Sequence, residues 1–190
     1  MKKISLILIL FSISIIGACT ISQQNANDQG SLVLKLTDNA NQNYSKVLVT
    51  LSKIEVNKDG NWTVFSEQQQ TFDLLTLENV AILLGQQQLD VGKYTQIRLS
   101  VDKSQVQPIG GDTLVDAKVP SDKIKLVKEF TIEEGKTTEL IIDFDPASVK
   151  KAGSQYVMNP VIKILTTSEF QEKVNQNKQQ KQNNNTNLAN

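Results

Sequence analysis

The stretch LDVGKYTQIRLSVD, residues 89–102, decides the fold class. Ile97, Leu99 and Val101 alternate with Gln96, Arg98 and Ser100. That is the period of a strand with one face in a core and the other in water. Just before it come an aliphatic residue, Gly92, one further residue and Tyr94 at the head of the strand. This pattern resembles a tyrosine corner, where the phenol hydroxyl returns to the backbone a few residues upstream and fixes a Greek-key crossover. Tyr94 therefore reads as structural.

The same period extends to both sides. SLVLKLT (31–37) points Leu32, Leu34 and Leu36 one way. KVLVTLSKIEV (46–56) alternates Val47, Val49 and Leu51, then changes phase to Ile54 and Val56, which predicts a β-bulge near Ser52 and Lys53. Asp59-Gly60 predicts a hairpin turn, and EEGK (133–136) predicts another. WTVFS, TFDLL, TLVDAKV, KLVKEFTIE, TTELIIDFD and YVMNPVIKIL supply further strands. Short strands separated by turn residues predict an all-β, Greek-key β-sandwich of immunoglobulin-like or transthyretin-like type. One segment departs from the pattern. In DLLTLENVAILLG (73–85), Leu77, Val80, Ala81 and Leu84 have helical spacing with Gly85 as a C-cap. A short helical crossover near 76–84 is expected, more a core element than an apolar ligand groove.

The folded unit is bracketed by two different ends. The chain opens on MKK and then ISLILILFSISII (4–16), thirteen uncharged residues. That is short of the ~20 apolar residues a spanning helix needs and fits the apolar region of a signal peptide. IGAC (16–19) follows and resembles the lipobox of bacterial lipoproteins: an aliphatic residue, two small residues and cysteine. The resemblance implies cleavage between Ala18 and Cys19 and a diacylglyceryl thioether on Cys19. Residues 1–18 are then a lipoprotein signal peptide, and 19–29 a lipidated cysteine with a polar tether. The domain is expected over 30–167. Residues 175–190 hold eleven Asn or Gln, and such a segment buries too little apolar surface to offset ordering, so 168–190 is expected to be a disordered tail.

Composition excludes several functions. The chain has 20 basic and 20 acidic residues and no histidine. Charge balance, with Arg98 as the single arginine, argues against nucleic acid as a partner. The lack of histidine removes Ser-His-Asp and Cys-His catalysis and most transition-metal sites. One cysteine cannot make an intramolecular disulfide. No cofactor is expected.

Several phrases in order resemble the DUF4382 family of exported bacterial and archaeal proteins: GSLVLKLTD (30–38), VLVTLSKIEV with GNW (47–62), TFDLLTLENVAILLG (71–85), LDVGKYTQIRLSVD (89–102), VPSDKIKLVKEFTIEEGKTTELIIDFDPASV (119–149) and YVMNPVIKI (156–164). The resemblance implies a β-sandwich on a secreted or lipid-anchored protein. It implies no activity and no catalytic residues.

Three positions have candidate chemistry. Asp143 and Asp145 in DFDP share a strand face, and two carboxylates are hard-oxygen ligands suited to Ca²⁺, although no D-x-D-x-D-G loop is present. As an acid/base pair they need a cleft and a raised pKa. Trp62, just after a turn, can stack on sugar rings if exposed and packs in the core otherwise. GGD (110–112) lacks the helix and lysine of a phosphate loop and reads as a hairpin tip. The expected protein is a non-enzymatic, extracytoplasmic binding or structural module, held to a membrane by its lipid. Its partner would be an envelope protein or a glycan. The alternatives are a carbohydrate- or peptide-recognition module and a Ca²⁺-dependent adhesion domain. Thr20, rather than aspartate, follows the cysteine, which favours an outer membrane in a host with two.

Overall fold

The computed structural model describes residues 28–38, 43–145 and 149–188. Cys19, Ala18 and the tether up to residue 27 lie outside them.

Two sheets face each other across one core. The smaller has the order β12-β9-β1-β5, formed by β1 (Gln29–Asp38), β5 (Ile82–Asp90), β9 (Thr137–Asp145) and β12 (Val161–Thr166). The larger contains β2 (Tyr44–Lys58), β3 (Asn61–Ser66), β6 (Gly92–Pro108), β7 (Val115–Lys118), β10 (Val149–Ala152) and β11 (Gln155–Met158), in the order β10-β11-β7-β6-β2-β3. β4 (Gln70–Asp73) joins it through β2, and β8 (Lys123–Ile132) through β6. The all-β sandwich expected from the alternation is the fold of this chain.

The alternation predicts which side chains fill the interior. Leu32, Leu34 and Leu36 of β1 and Leu140, Ile142 and Phe144 of β9 meet Val49, Val56, Ile97 and Leu99 of the larger sheet, all at most 3 % exposed. Burying such a side chain is worth roughly 1.5–3 kcal/mol each. The phase change in β2 is a pair of register shifts against β6, between Thr50 and Leu51 and between Leu51 and Lys53. Asp59 (φ 52°) and Gly60 (φ 83°) are both left-handed, as a two-residue I′ hairpin requires.

The tyrosine corner is present. The Tyr94 hydroxyl donates to the Asp90 carbonyl at 3.0 Å, with the ring stacked on Phe130 at 5.3 Å. Tyr94→Phe keeps the ring and removes only that bond. It should lower the unfolding free energy by about 1 kcal/mol, read as a shift of the urea midpoint at constant slope.

Three expectations are corrected. The helix expected near 76–84 is a single 3-10 turn, Leu74–Leu77, followed by strand β5. Asn79 at φ 59° ends any helix two residues after Leu77. Ile82–Asp90 then pairs along β1, since an unpaired backbone edge on a buried strand is costly. Gly85 is therefore not a C-cap but a strand residue, set where a Cβ would lie 3.1 Å from the Phe65 ring. EEGK is not a hairpin within one sheet either. It carries the chain from β8, paired to β6, across to β9, paired to β1 and β12.

The third correction is the tail. Thr167–Leu188 forms a helix, α1. The Glu169 carboxylate accepts from the Thr166 amide at 2.6 Å, and the Thr166 hydroxyl accepts from the Glu169 amide at 3.3 Å. This reciprocal capping box starts the helix. Phe170 and Val174, one turn apart, then bury against Ile141 on the outer face of β9. Composition alone understated how little apolar surface a capped and docked helix needs.

Candidate functional site

The two outer faces of the sandwich differ. On the smaller sheet, α1 covers Ile141, and Lys173 reaches over β9 to put its ammonium 2.6 Å from Asp143 Oδ1 and 3.3 Å from the Asp38 carbonyl. Asn177 bonds Asn79 at 2.9 Å and Lys181 pairs with Glu78 at 2.8 Å. α1 is thus held by a line of polar contacts beside its two apolar anchors.

Asp143 and Asp145 do share a face, as expected, around a hollow of about 40 Å³ with Val161 and Lys163. Asp143 is buried and its partner is Lys173. A lysine thus takes the place at which the sequence suggested a cation. Among the described residues, no group of three or more His, Cys, Asp or Glu side chains is placed to hold a metal ion.

The larger sheet shows its outer face to solvent. Cross-strand register builds it in rows: Lys53, Ser100 and Lys123; then Val64, Glu55, Arg98 and Lys125; then Trp62, Asn57, Gln96 and Val127. Trp62 is half-buried, and the Arg98 guanidinium lies over its ring at 4.0 Å. The same guanidinium donates from Nε to Glu55 Oε2 at 2.7 Å. One arginine thus covers the only tryptophan and neutralises a carboxylate. Trp62 and Arg98 each stand out in the sequence as the single residue of their type. Their meeting depends on β2 lying between β3 and β6 in this register, which no local pattern encodes. Lys123, Lys125 and Val127 on this face were legible in the alternation of KIKLVKEF (123–130) but carry no motif.

The Arg98 bond holds the Glu55 carboxyl below the usual carboxylate range. Its folded pKa lies under its unfolded value, roughly 4.3. The pair's stabilisation is then present above that value and lost as pH falls through the folded pKa. Glu55→Gln should lower the melting temperature at neutral pH, and the gap to the parent should close as the medium is taken below pH ~4. Differential scanning calorimetry across that range checks it.

Two depressions lie near the segment that joins β7 to β8. One, of about 300 Å³, is walled by Asp102, Lys103, Ser104, Asp116 and Asp122. Two of its carboxylates are engaged: Asp102 accepts from Ser52 and from Gln69 at 2.8 Å, and Asp116 from Gln105 at 2.9 Å. The other, of about 320 Å³, is lined by Val119, Pro120, Ile124 and Pro160 among others. No described helix is long and apolar enough to cross a membrane.

The profile of a family described as a domain of unknown function, DUF4382, matches residues 29–160, more than half of the chain. The chain belongs to the DUF4382 family. The matched region of the DUF4382 domain starts with β1 and ends after β11, so β12 and α1 extend the sandwich beyond it. No curated protein and no solved structure matches the chain.

Proposed function

We propose that this DUF4382 protein is a lipid-anchored domain of the cell envelope, with a binding or structural role rather than a catalytic one. The observation that carries the reading is IGAC (16–19), an aliphatic residue, two small residues and the only cysteine, directly after a thirteen-residue uncharged segment. Signal cleavage before Cys19 and a diacylglyceryl thioether on its sulfur would leave a short polar tether leading into β1. Two or more acyl chains hold a protein firmly to a bilayer, whereas one does so only marginally. Loss of Lys2 and Lys3 with the signal leaves 18 basic and 20 acidic residues.

The non-catalytic part of the reading rests on the missing histidine and on the engagement of the buried carboxylate Asp143 by Lys173. A partner at the envelope, protein or glycan, would meet surface that α1 leaves open, since α1 already occupies part of the outer face of the smaller sheet.

The decisive variant is Cys19→Ser. In cells fed a labelled fatty acid, the parent chain should carry the label and fractionate with membranes. The variant should carry none and leave the membrane fraction. Label on the variant would end the proposal.

A further inference from the structure

The structure assigns the outer face of the larger sheet as a docking face for an anionic lipid surface, with Lys123, Lys125, Val127 and Trp62 at the contact. The assignment deepens the lipid-anchored reading and rests on it for the nearness of a bilayer.

Charge points first to this occupant. In the three rows of this face four cations, Lys53, Arg98, Lys123 and Lys125, meet one carboxylate, Glu55, which Arg98 pairs; at the edges Glu67 has Lys53 at 3.0 Å, Glu129 has Lys93 at 2.7 Å, and Asp102 accepts only from the neutral Ser52 and Gln69. Lys123 and Lys125 make no ion pair with any described residue. They stand two residues apart on one face of β8, both exposed. The rows therefore carry surplus positive charge on a chain that, once Lys2 and Lys3 leave with the signal, has more acidic than basic residues. A negatively charged leaflet attracts such lysines, and each adds roughly fivefold to partitioning.

Apolar surface points the same way. Val127 is 81 % exposed, two residues beyond Lys125 on the same face, and Val64 is 36 % exposed on β3. Trp62 lies on that face in the row of Val127. A half-buried tryptophan on a face that also exposes Val64 and Val127, with Lys125 and Lys123 in the next two rows, suits the headgroup region, where aromatic rings are favoured.

Position is the third argument. The chain enters β1 where the Val91 amide bonds the Asp28 carbonyl at 2.8 Å and Gln29 registers with Asp90. Gly92 begins β6 at this end, opposite Ile132 of β8, and Trp62 follows the nearby turn that Lys58 closes onto the Val91 carbonyl at 2.6 Å. The tether thus enters at the end of the sandwich nearest Trp62 and Val127. Nine residues between Cys19 and Gln29 reach about 30 Å when extended, enough for the face to lie flat.

The only tryptophan makes this measurable in the full lipidated chain. The protein would be reconstituted on vesicles of phosphatidylcholine alone, or with phosphatidylglycerol added, carrying brominated acyl chains. Flotation reads the anchor, and quenching of Trp62 reads the face. The expected result is flotation with both vesicles but quenching only with phosphatidylglycerol, reversed by high salt. Lys123→Glu with Lys125→Glu should lower the docked-to-free ratio of the face at a fixed phosphatidylglycerol content by more than about 25-fold, read as lost Trp62 quenching, with the melting temperature unchanged because both positions are exposed. Val127→Asp should weaken it independently. Flotation with both vesicles and no quenching on either overturns the docking face and leaves the anchor standing. Failure to float on phosphatidylcholine, with quenching still present on phosphatidylglycerol, removes the anchor and supports the face. Quenching indifferent to the charge reversals overturns it. So does a Trp62 spectral response to a soluble anionic polysaccharide but not to vesicles.

Discussion

Lys173→Met should unfold the protein at a denaturant concentration well below that of the parent, with a loss of about 3–5 kcal/mol. The reason is the company Lys173 leaves behind. Its ammonium is 2.6 Å from Asp143 Oδ1 and 3.3 Å from the Asp38 carbonyl, between α1 and β9. The side chains of Asp143 and Lys173 are 9 % and 17 % exposed. Removing one partner leaves a charge in a place of low polarity, and that penalty exceeds what the pair itself contributes. The double variant Lys173→Met with Asp143→Leu is therefore the sharper experiment. It should regain most of the loss, because the carboxylate that the single variant leaves uncompensated is removed with the lysine. A single variant as stable as the parent, or a double variant no better than the single, would show that Lys173 does not hold α1 to β9.

Gly30→Ala should cost stability near the upper end of the ~1–3 kcal/mol typical of overpacking. A Cβ at Gly30 would collide with the Glu133 carbonyl oxygen and lie 2.8 Å from Ile132 Cγ2. That oxygen cannot turn aside, because it accepts the Lys136 amide at 3.1 Å inside the Glu133–Lys136 turn. The same turn is stitched to β1 through Gly135 N–H to the Gln29 carbonyl at 3.0 Å and Ser31 N–H to the Lys136 carbonyl at 2.8 Å. Alanine must therefore push apart three short backbone contacts at once. Hydrogen exchange should show faster opening of the Ser31 and Gly135 amides before any change at Ile97 or Leu99. Parent-like exchange at Ser31 would count against the steric account.

Features that depend on neighbouring residues were legible. Tyr94 and Asp90 are four positions apart, the Asp59–Gly60 turn is two residues, and the bulge near Ser52 shows as a slip in a single alternating run. Features that depend on which strand lies beside which were not. A Glu-Glu-Gly turn has the same chemistry whether it closes a hairpin or carries the chain between sheets. Strand β5 hides behind Gln86, Gln87 and Gln88, an edge whose outer side asks nothing apolar of the sequence. For α1 the signal was present: Thr166 and Glu169 are spaced as a capping box and Phe170 and Val174 as one helical stripe. Asn and Gln outnumber those four residues and masked them. At the site, Trp62 and Arg98 could each be named, but the stack between them and the lysines beside it belong to the register of four strands.

The parallel pairing of β1 with β9 has a temporal consequence. Ser31 meets Thr137 and Asp38 meets Phe144, so each β1 residue waits for a partner more than 100 positions later. β1 can zip first only with β5, leaving one edge and the apolar face of Leu32, Leu34 and Leu36 unsatisfied until nearly the whole chain is available. Loop closure on that scale delays the nucleus. The smaller sheet should therefore be the last part to form, and until β9 arrives the β1 edge is where this chain is open to pairing with another.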